Sequence, residues 1–201
     1  VADLRATRDF FGPRAVGWDD KFPDDGPAYE RAVAELRLTA GATALDAGCG
    51  TGRAIPILQR AVGGGGRVVA VDATPEMVST AKRSGRAGGL IVGDVTCLPL
   101  PDRSVDVILA AGLLPHLGDA GAALDELARV TRVGGRLGLF HPIGRVALAA
   151  RHGGAPHPGD VRAPDVITAL LVEHGWEAEL VDDGPDRYLV VARRTQDPGN
   201  L

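Results

Sequence analysis

The chain has 201 residues, 45% hydrophobic and 24% charged, an ordinary globular composition that excludes whole-chain disorder. Area scaling buries about 70% of the unfolded surface at this length, so a full core needs no disulfide staple. A formal net charge of −4 argues against nucleic-acid binding through a basic surface, and no apolar run approaches the ~18 residues of a membrane helix.

Cys49 and Cys97 are the only cysteines, too few for a disulfide framework or a cysteine zinc cluster. The opening Val1-Ala2-Asp3-Leu4-Arg5 lacks the apolar core of a secretory signal; a cytoplasmic location is expected. Only two of the 22 basic residues are lysines, Lys21 and Lys82, a bias we ascribe to genome base composition.

Residues 1–26 are polar and irregular in pattern, with Phe10, Phe11, Trp18 and Phe22 set among charges. A helix is expected over 28–38, then a short buried strand over 42–47 and a glycine-rich turn leading into a helix over 53–62. Four glycines at 63–66 end that helix. A second strand (67–71) precedes a helix over 75–84 with proline in its first turn. Strands follow at 90–92, 105–109 and 136–140, with a helix over 120–131 between the last two and Gly134-Gly135 as a tight turn before the fifth strand. Residues 142–163 are rich in Gly, Pro and His, with a short helix at 146–151. A helix over 164–174 and a hairpin of 176–181 with 187–192 complete the chain, and the tail from Thr195 is expected to fray.

Strands alternating with helices predict an α/β fold: a Rossmann-like, doubly wound, mostly parallel seven-stranded sheet with a C-terminal antiparallel strand and helices on both faces. The organisation expected is a cover segment (1–26), one domain (27–195) and a tail (196–201).

The chemistry centres on Leu45-Asp46-Ala47-Gly48-Cys49-Gly50-Thr51-Gly52-Arg53. A strand ends in an acid and a tight glycine turn, where backbone must take positive φ or approach a ligand closely, and a helix N-terminus follows. Asp72, 20 residues after Gly52, closes the second strand, where a carboxylate can grip vicinal ribose hydroxyls. The dinucleotide fingerprint G-x-G-x-x-G fails in both registers, because Arg53 or Ile55 stands at its sixth position. A carboxylate at Asp46 would repel a pyrophosphate but suits water or an amino group near a cationic ligand.

These residues resemble the class I S-adenosylmethionine (SAM)-dependent methyltransferases, especially the small-molecule branch related to ubiquinone-biosynthesis methyltransferases. The resemblance spans residues 28–141 and rests on five motifs in order. Leu45–Gly52 matches the first. Val69-Ala70-Val71-Asp72-Ala73-Thr74-Pro75-Glu76-Met77 is similar to the second, and Gly93-Asp94-Val95 opens the third. Val107-Ile108-Leu109-Ala110-Ala111 resembles the fourth strand, and 127–137 the helix–Gly-Gly–strand passage. The resemblance implies SAM as cofactor, S-adenosylhomocysteine as product, and a cofactor site of Asp46, Gly48, Cys49, Gly50, Gly52, Asp72, Ala73, Met77, Gly93, Asp94, Val95, Ala110 and Ala111, covered by Trp18 and Phe22. Plainer roles stand beside these. Thr74 suits a helix cap, Asp94 a turn, Met77 the core, Trp18 aromatic packing, and Cys49 a small buried residue without a paired base.

Ligands of open α/β sheets lie outside the strand C-termini. His116, after strand four, and His141, after strand five, are therefore the candidate proton acceptors, although His116 in similar enzymes often only orders its loop. Arg145 suits an acidic acceptor or simple solvation, and His152 with His157 is a weak metal pattern; no metal is expected.

The expected function is methyl transfer to O, N or C of a small molecule by in-line displacement, with no nucleic-acid or membrane partner, by a monomer or homodimer. One alternative is a non-catalytic SAM-binding protein, which a blocked edge at strands four and five would favour. A Rossmann oxidoreductase is disfavoured further, because neither Tyr29 nor Tyr188 has lysine four residues on.

Overall fold

The computed structural model describes residues 4–21, 25–86, 88–157 and 159–195. Its seven strands are β1 (Thr43–Ala47), β2 (Arg67–Asp72), β3 (Gly89–Val92), β4 (Val105–Ala111), β5 (Thr131–His141), β6 (Trp176–Gly184) and β7 (Arg187–Arg194). They form one sheet in the order β3-β2-β1-β4-β5-β7-β6. β1 to β5 run parallel. β7 pairs antiparallel with both β5 and β6, so it is the one reversed strand, as the hairpin pattern predicts.

Alternate residues of the strands feed two cores. Leu45, Ile108, Leu137, Leu139 and Val190 pack on one face, against α5 (Ala120–Val130) and α7 (Pro164–Glu173). Ala44, Ala70, Leu109, Phe140 and Val191 pack on the other, against α2 (Gly26–Glu35) and α3 (Ile55–Val62). Burial on both faces explains why the central strands read as nearly unbroken apolar runs.

Several boundaries differ from the sequence expectation. The first segment is not irregular: α1 (Leu4–Phe11) and two 3₁₀ turns, Gly12–Arg14 and Asp19–Lys21, occupy it. Its local pattern was hidden because its anchors lie far along the chain; Arg8 Nε donates to the Ala73 carbonyl at 2.7 Å. Phe22 and residues 196–201 lie outside the described residues. α3 begins at Ile55, not Arg53, because Gly52 takes φ +77° and Pro56 favours a helix start just before it. Gly134-Gly135 lies inside β5, at a register shift opposite Val105 and Val107; a Cβ at Gly135 would stand 2.7 Å from the Asp106 carbonyl oxygen. Thr195 does not fray, because its N–H and hydroxyl both donate to the Gly175 carbonyl.

Candidate functional site

Parallel pairing brings the C-termini of the first five strands to one edge. Ala47 lies beside Val71, Asp72 beside Val92, and Ala111 beside Phe140. Asp46, Asp72, Asp94, Ala110, Ala111 and His141 therefore share this edge, although 95 residues separate the first from the last.

The glycine turn after β1 is held from below. Gly48 and Cys49 N–H donate to the Val71 carbonyl at 2.8 and 2.9 Å, Gly52 N–H to the Cys49 carbonyl at 2.8 Å, and Gly50 N–H to Asp72 Oδ2 at 2.8 Å. These four amides are thus consumed inside the protein and are not offered to a phosphate. Gly48 is required twice over: its φ is +70°, and a Cβ there would stand 2.8 Å from Leu113 Cδ1. Cys49 packs into the α2/α3 core, and burial pushes its thiol far above the usual range, so it is no nucleophile.

Asp72 has a second task that its sequence position did not disclose. Besides bracing Gly50, its Oδ1 accepts from Thr74 N–H at 2.8 Å. Thr74 occupies the N-cap position of α4 (Pro75–Arg83) but makes no side-chain cap bond; its hydroxyl instead supports Asp72. Burial raises the Asp72 pKa, opposed by these hydrogen bonds. With these three donors, about one of the roughly four acceptor positions of a carboxylate remains for a ligand.

Asp46 is the electrostatic anomaly of the edge. It is 1% exposed, and its Oδ2 is buried without a hydrogen-bond partner. Desolvation, then the Asp72 charge, pushes its carboxyl up from 3.8 to about 7. A buried acceptor left unmatched costs about 1–3 kcal/mol, which points to a donor supplied from outside the chain.

The other predicted cofactor contacts surround these acids. Gly93 N–H donates to the Asp72 carbonyl at 3.0 Å. Asp94 Oδ1 accepts from Thr96 N–H at 2.9 Å, so the turn role is real. Val95 is buried in the α5-side core. Met77 is 2% exposed without belonging to either main core cluster. Ala110 is buried and Ala111 half-buried at the end of β4.

The cover reaches the same edge. Asp19 accepts from the Thr51 hydroxyl at 2.5 Å and from Arg86 Nη1 at 2.5 Å, while Arg86 also donates to the Thr51 carbonyl at 2.7 Å. Trp18 packs edge-on against Phe11 with ring centroids 5.6 Å apart, and Phe11 meets the His116 ring at 4.9 Å. The cover thus ties the glycine turn to the loop after β4.

His141 lies close enough to influence His116, and Arg162 influences both. Burial lowers both imidazole pKa values, with Arg162 acting in the same direction, so both are neutral near pH 7. His141 Nδ1 sits 2.8 Å from the Ile143 carbonyl and 3.2 Å from its N–H. The shorter contact favours Nδ1–H donating, which leaves Nε2 as a proton acceptor. Arg145 serves neither a ligand nor solvent: its backbone N–H and Nε bind Asp183 at 2.8 and 3.0 Å, and Asp160 stands 4.0 Å from Nη1. His152 and His157 are exposed, and His157 Nδ1 accepts from Gly159 N–H at 3.0 Å.

Sequence reasoning missed Arg162 and Tyr188. Both line a recess with His141, Phe140, Leu113 and Leu114, enclosing only about 10 Å³. Nothing local marked them: Arg162 lies in the Gly/Pro-rich stretch and Tyr188 in a terminal strand. Only the antiparallel register, which places Tyr188 opposite His141, brings them to this edge.

Residues 45–139 match the family model described as a methyltransferase domain. Malonyl-[acyl-carrier protein] O-methyltransferase of Yersinia pestis is 41% identical over 146 residues, 73% of this chain and 53% of that protein. Its namesake in Serratia marcescens is 37% identical over 117 residues, 56% of this chain and 45% of that protein. A crystallised SAM-dependent methyltransferase from Aquifex aeolicus superposes with a TM-score of 0.70 at 28% identity, covering 83% of this chain and 89% of that one. The chain spans about half or less of the curated relatives just described.

Proposed function

We propose that this chain, which carries a methyltransferase domain of the class I SAM-dependent family, transfers a methyl group to O, N or C of a small molecule. The observation that carries this reading is Asp46: a fully buried carboxylate with an orphan oxygen, beside a turn in which the amides of Gly48, Cys49, Gly50 and Gly52 are already spent. Such an edge attracts a cation and repels a pyrophosphate. SAM, the cofactor of the family, is cationic at both its sulfonium and its ammonium, and the residues present fit it.

In this reading Asp46 accepts from the amino group of SAM, directly or through water. Asp72 accepts from the ribose hydroxyls at the acceptor position that Gly50 and Thr74 leave. Asp94 faces the adenine amine, Met77 packs on the adenine, and Gly48, Cys49, Gly50, Gly52, Ala73, Gly93, Val95, Ala110 and Ala111 form the walls. When bound, SAM supplies an already activated methyl. The chain then contributes orientation, worth an effective molarity of order 10⁵ M or more in good cases. Phe11 and Trp18 exclude water, and His141 Nε2 takes a proton from the acceptor, with His116 ordering the mouth.

The small recess supports a second reading, a SAM-binding protein without turnover. Isothermal titration with SAM and S-adenosylhomocysteine, with Asp72→Ala as control, tests the cofactor. Micromolar binding lost in the variant is expected; absence of binding to folded protein would overturn both readings. S-adenosylhomocysteine formation with an acceptor panel then separates enzyme from binder.

A further inference from the structure

We infer that the recess between β4, β5 and β7 is an acceptor subsite for an acidic small molecule, whose carboxylate oxygen is held by the Tyr188 hydroxyl and the Arg162 guanidinium. This rests on the methyltransferase reading above and names the acceptor class for that site.

Three observations converge. Tyr188 is 1% exposed, and its hydroxyl is buried with no hydrogen-bond partner, although buried tyrosine hydroxyls ordinarily find one. Burial holds the phenol well above its usual pKa, opposed mainly by the neighbouring Arg162 charge, so the hydroxyl keeps its proton and is available to donate. The enclosed volume, about 10 Å³, is the space of one water or one ligand oxygen.

Arg162 is built to present the other donor. Asp160 Oδ1 accepts from its Nε at 3.0 Å and from its backbone N–H at 3.0 Å, and Oδ2 accepts from Nη2 at 2.9 Å. This fork uses one edge of the guanidinium, and among the described residues Nη1 makes no hydrogen bond. Asp160 is itself steadied by Arg145, which Asp183 holds from β6. The side chain is thus rigid before any ligand arrives, and a fixed guanidinium edge suits a planar oxyanion. The guanidinium carries a positive charge and donates only, and the tyrosine hydroxyl can donate beside it, so a charged carboxylate oxygen matches the pair better than the carbonyl of an uncharged amide. His141, on the same wall, then faces the bound acceptor.

The test uses the full chain loaded with S-adenosylhomocysteine, titrated with acetate, benzoate and decanoate and with the three corresponding amides. At least one acid is expected to bind tenfold or more tighter than its amide. Tyr188→Phe, which removes a hydroxyl that no protein group needs, should weaken that acid about tenfold while leaving the melting temperature equal or higher. Arg162→Met should abolish the acid–amide discrimination. Equal binding of acids and amides, no acid binding, or an unchanged Tyr188→Phe would each overturn the subsite while leaving the cofactor reading intact. Failure to bind S-adenosylhomocysteine would overturn the cofactor reading and this one with it.

Discussion

Replacing Asp46 with Asn should make the ligand-free protein more stable at pH 8 and a poorer SAM binder. In the unfolded chain this carboxyl ionises near 3.8, and in the folded chain near 7, chiefly because burial disfavours the charge. Between these values the folded protein holds a proton that the unfolded chain has lost. Stability from this group is therefore complete below about pH 4, falls as pH rises to about 7, and is flat above. A gap of about three pH units at 1.36 kcal/mol each is on the order of 4 kcal/mol. Asn lacks this term but buries its own amide, at about 1–2 kcal/mol. The variant should thus gain about 2–3 kcal/mol at pH 8, or about 5–10 °C in melting temperature for a chain of this size, and lose slightly at pH 4.5. SAM affinity should move the other way: truncating one partner of a buried charge pair costs 2 kcal/mol or more, about 30-fold. Thermal melts at both pH values and isothermal titration read the two effects. A variant no more stable at pH 8, or one that keeps its SAM affinity, would refute the argument that Asp46 is an unmatched charge awaiting a cation.

Gly48→Ala should destabilise the fold by about 1–3 kcal/mol, since the residue sits at φ +70° with Leu113 Cδ1 2.8 Å from any Cβ; denaturant unfolding and SAM titration should both register it. Asp19→Ala removes both ties of the cover to Thr51 and Arg86. Global stability should drop by less than about 1.5 kcal/mol, while hydrogen exchange across residues 4–21 rises and SAM affinity falls several-fold. With SAM saturating, the acidic limb of methyl transfer should lie below pH 6.5, because burial lowers the pKa of His141 and His116; His141→Gln should remove that limb, and a limb above 6.5 would exclude the imidazole.

The sequence alone determined the order of the strands and of the helices between them, and the acids and glycines that gather at one sheet edge. Those features are local: apolar runs set the strands, glycines at 48, 50 and 52 can occupy positive φ where other residues strain, and an acid stands at each strand end. It also placed an antiparallel strand at the C-terminus, since a hairpin turn reverses the chain; the pairing of β7 with β5 makes β7 that strand. What it missed depended on contacts distant along the chain. Asp72 proved to brace Gly50 because β2 lies beside β1. Residues 4–21 are anchored through residues distant along the chain, among them Ala73, Thr51, Arg86 and His116. Arg145, legible as a possible acid-binding group, was claimed instead by Asp183, 38 residues away. Tyr188 and Arg162 have no local pattern at all. An orphan hydroxyl is a property of the space around an atom, and only the packing of β7 against β5 creates that space.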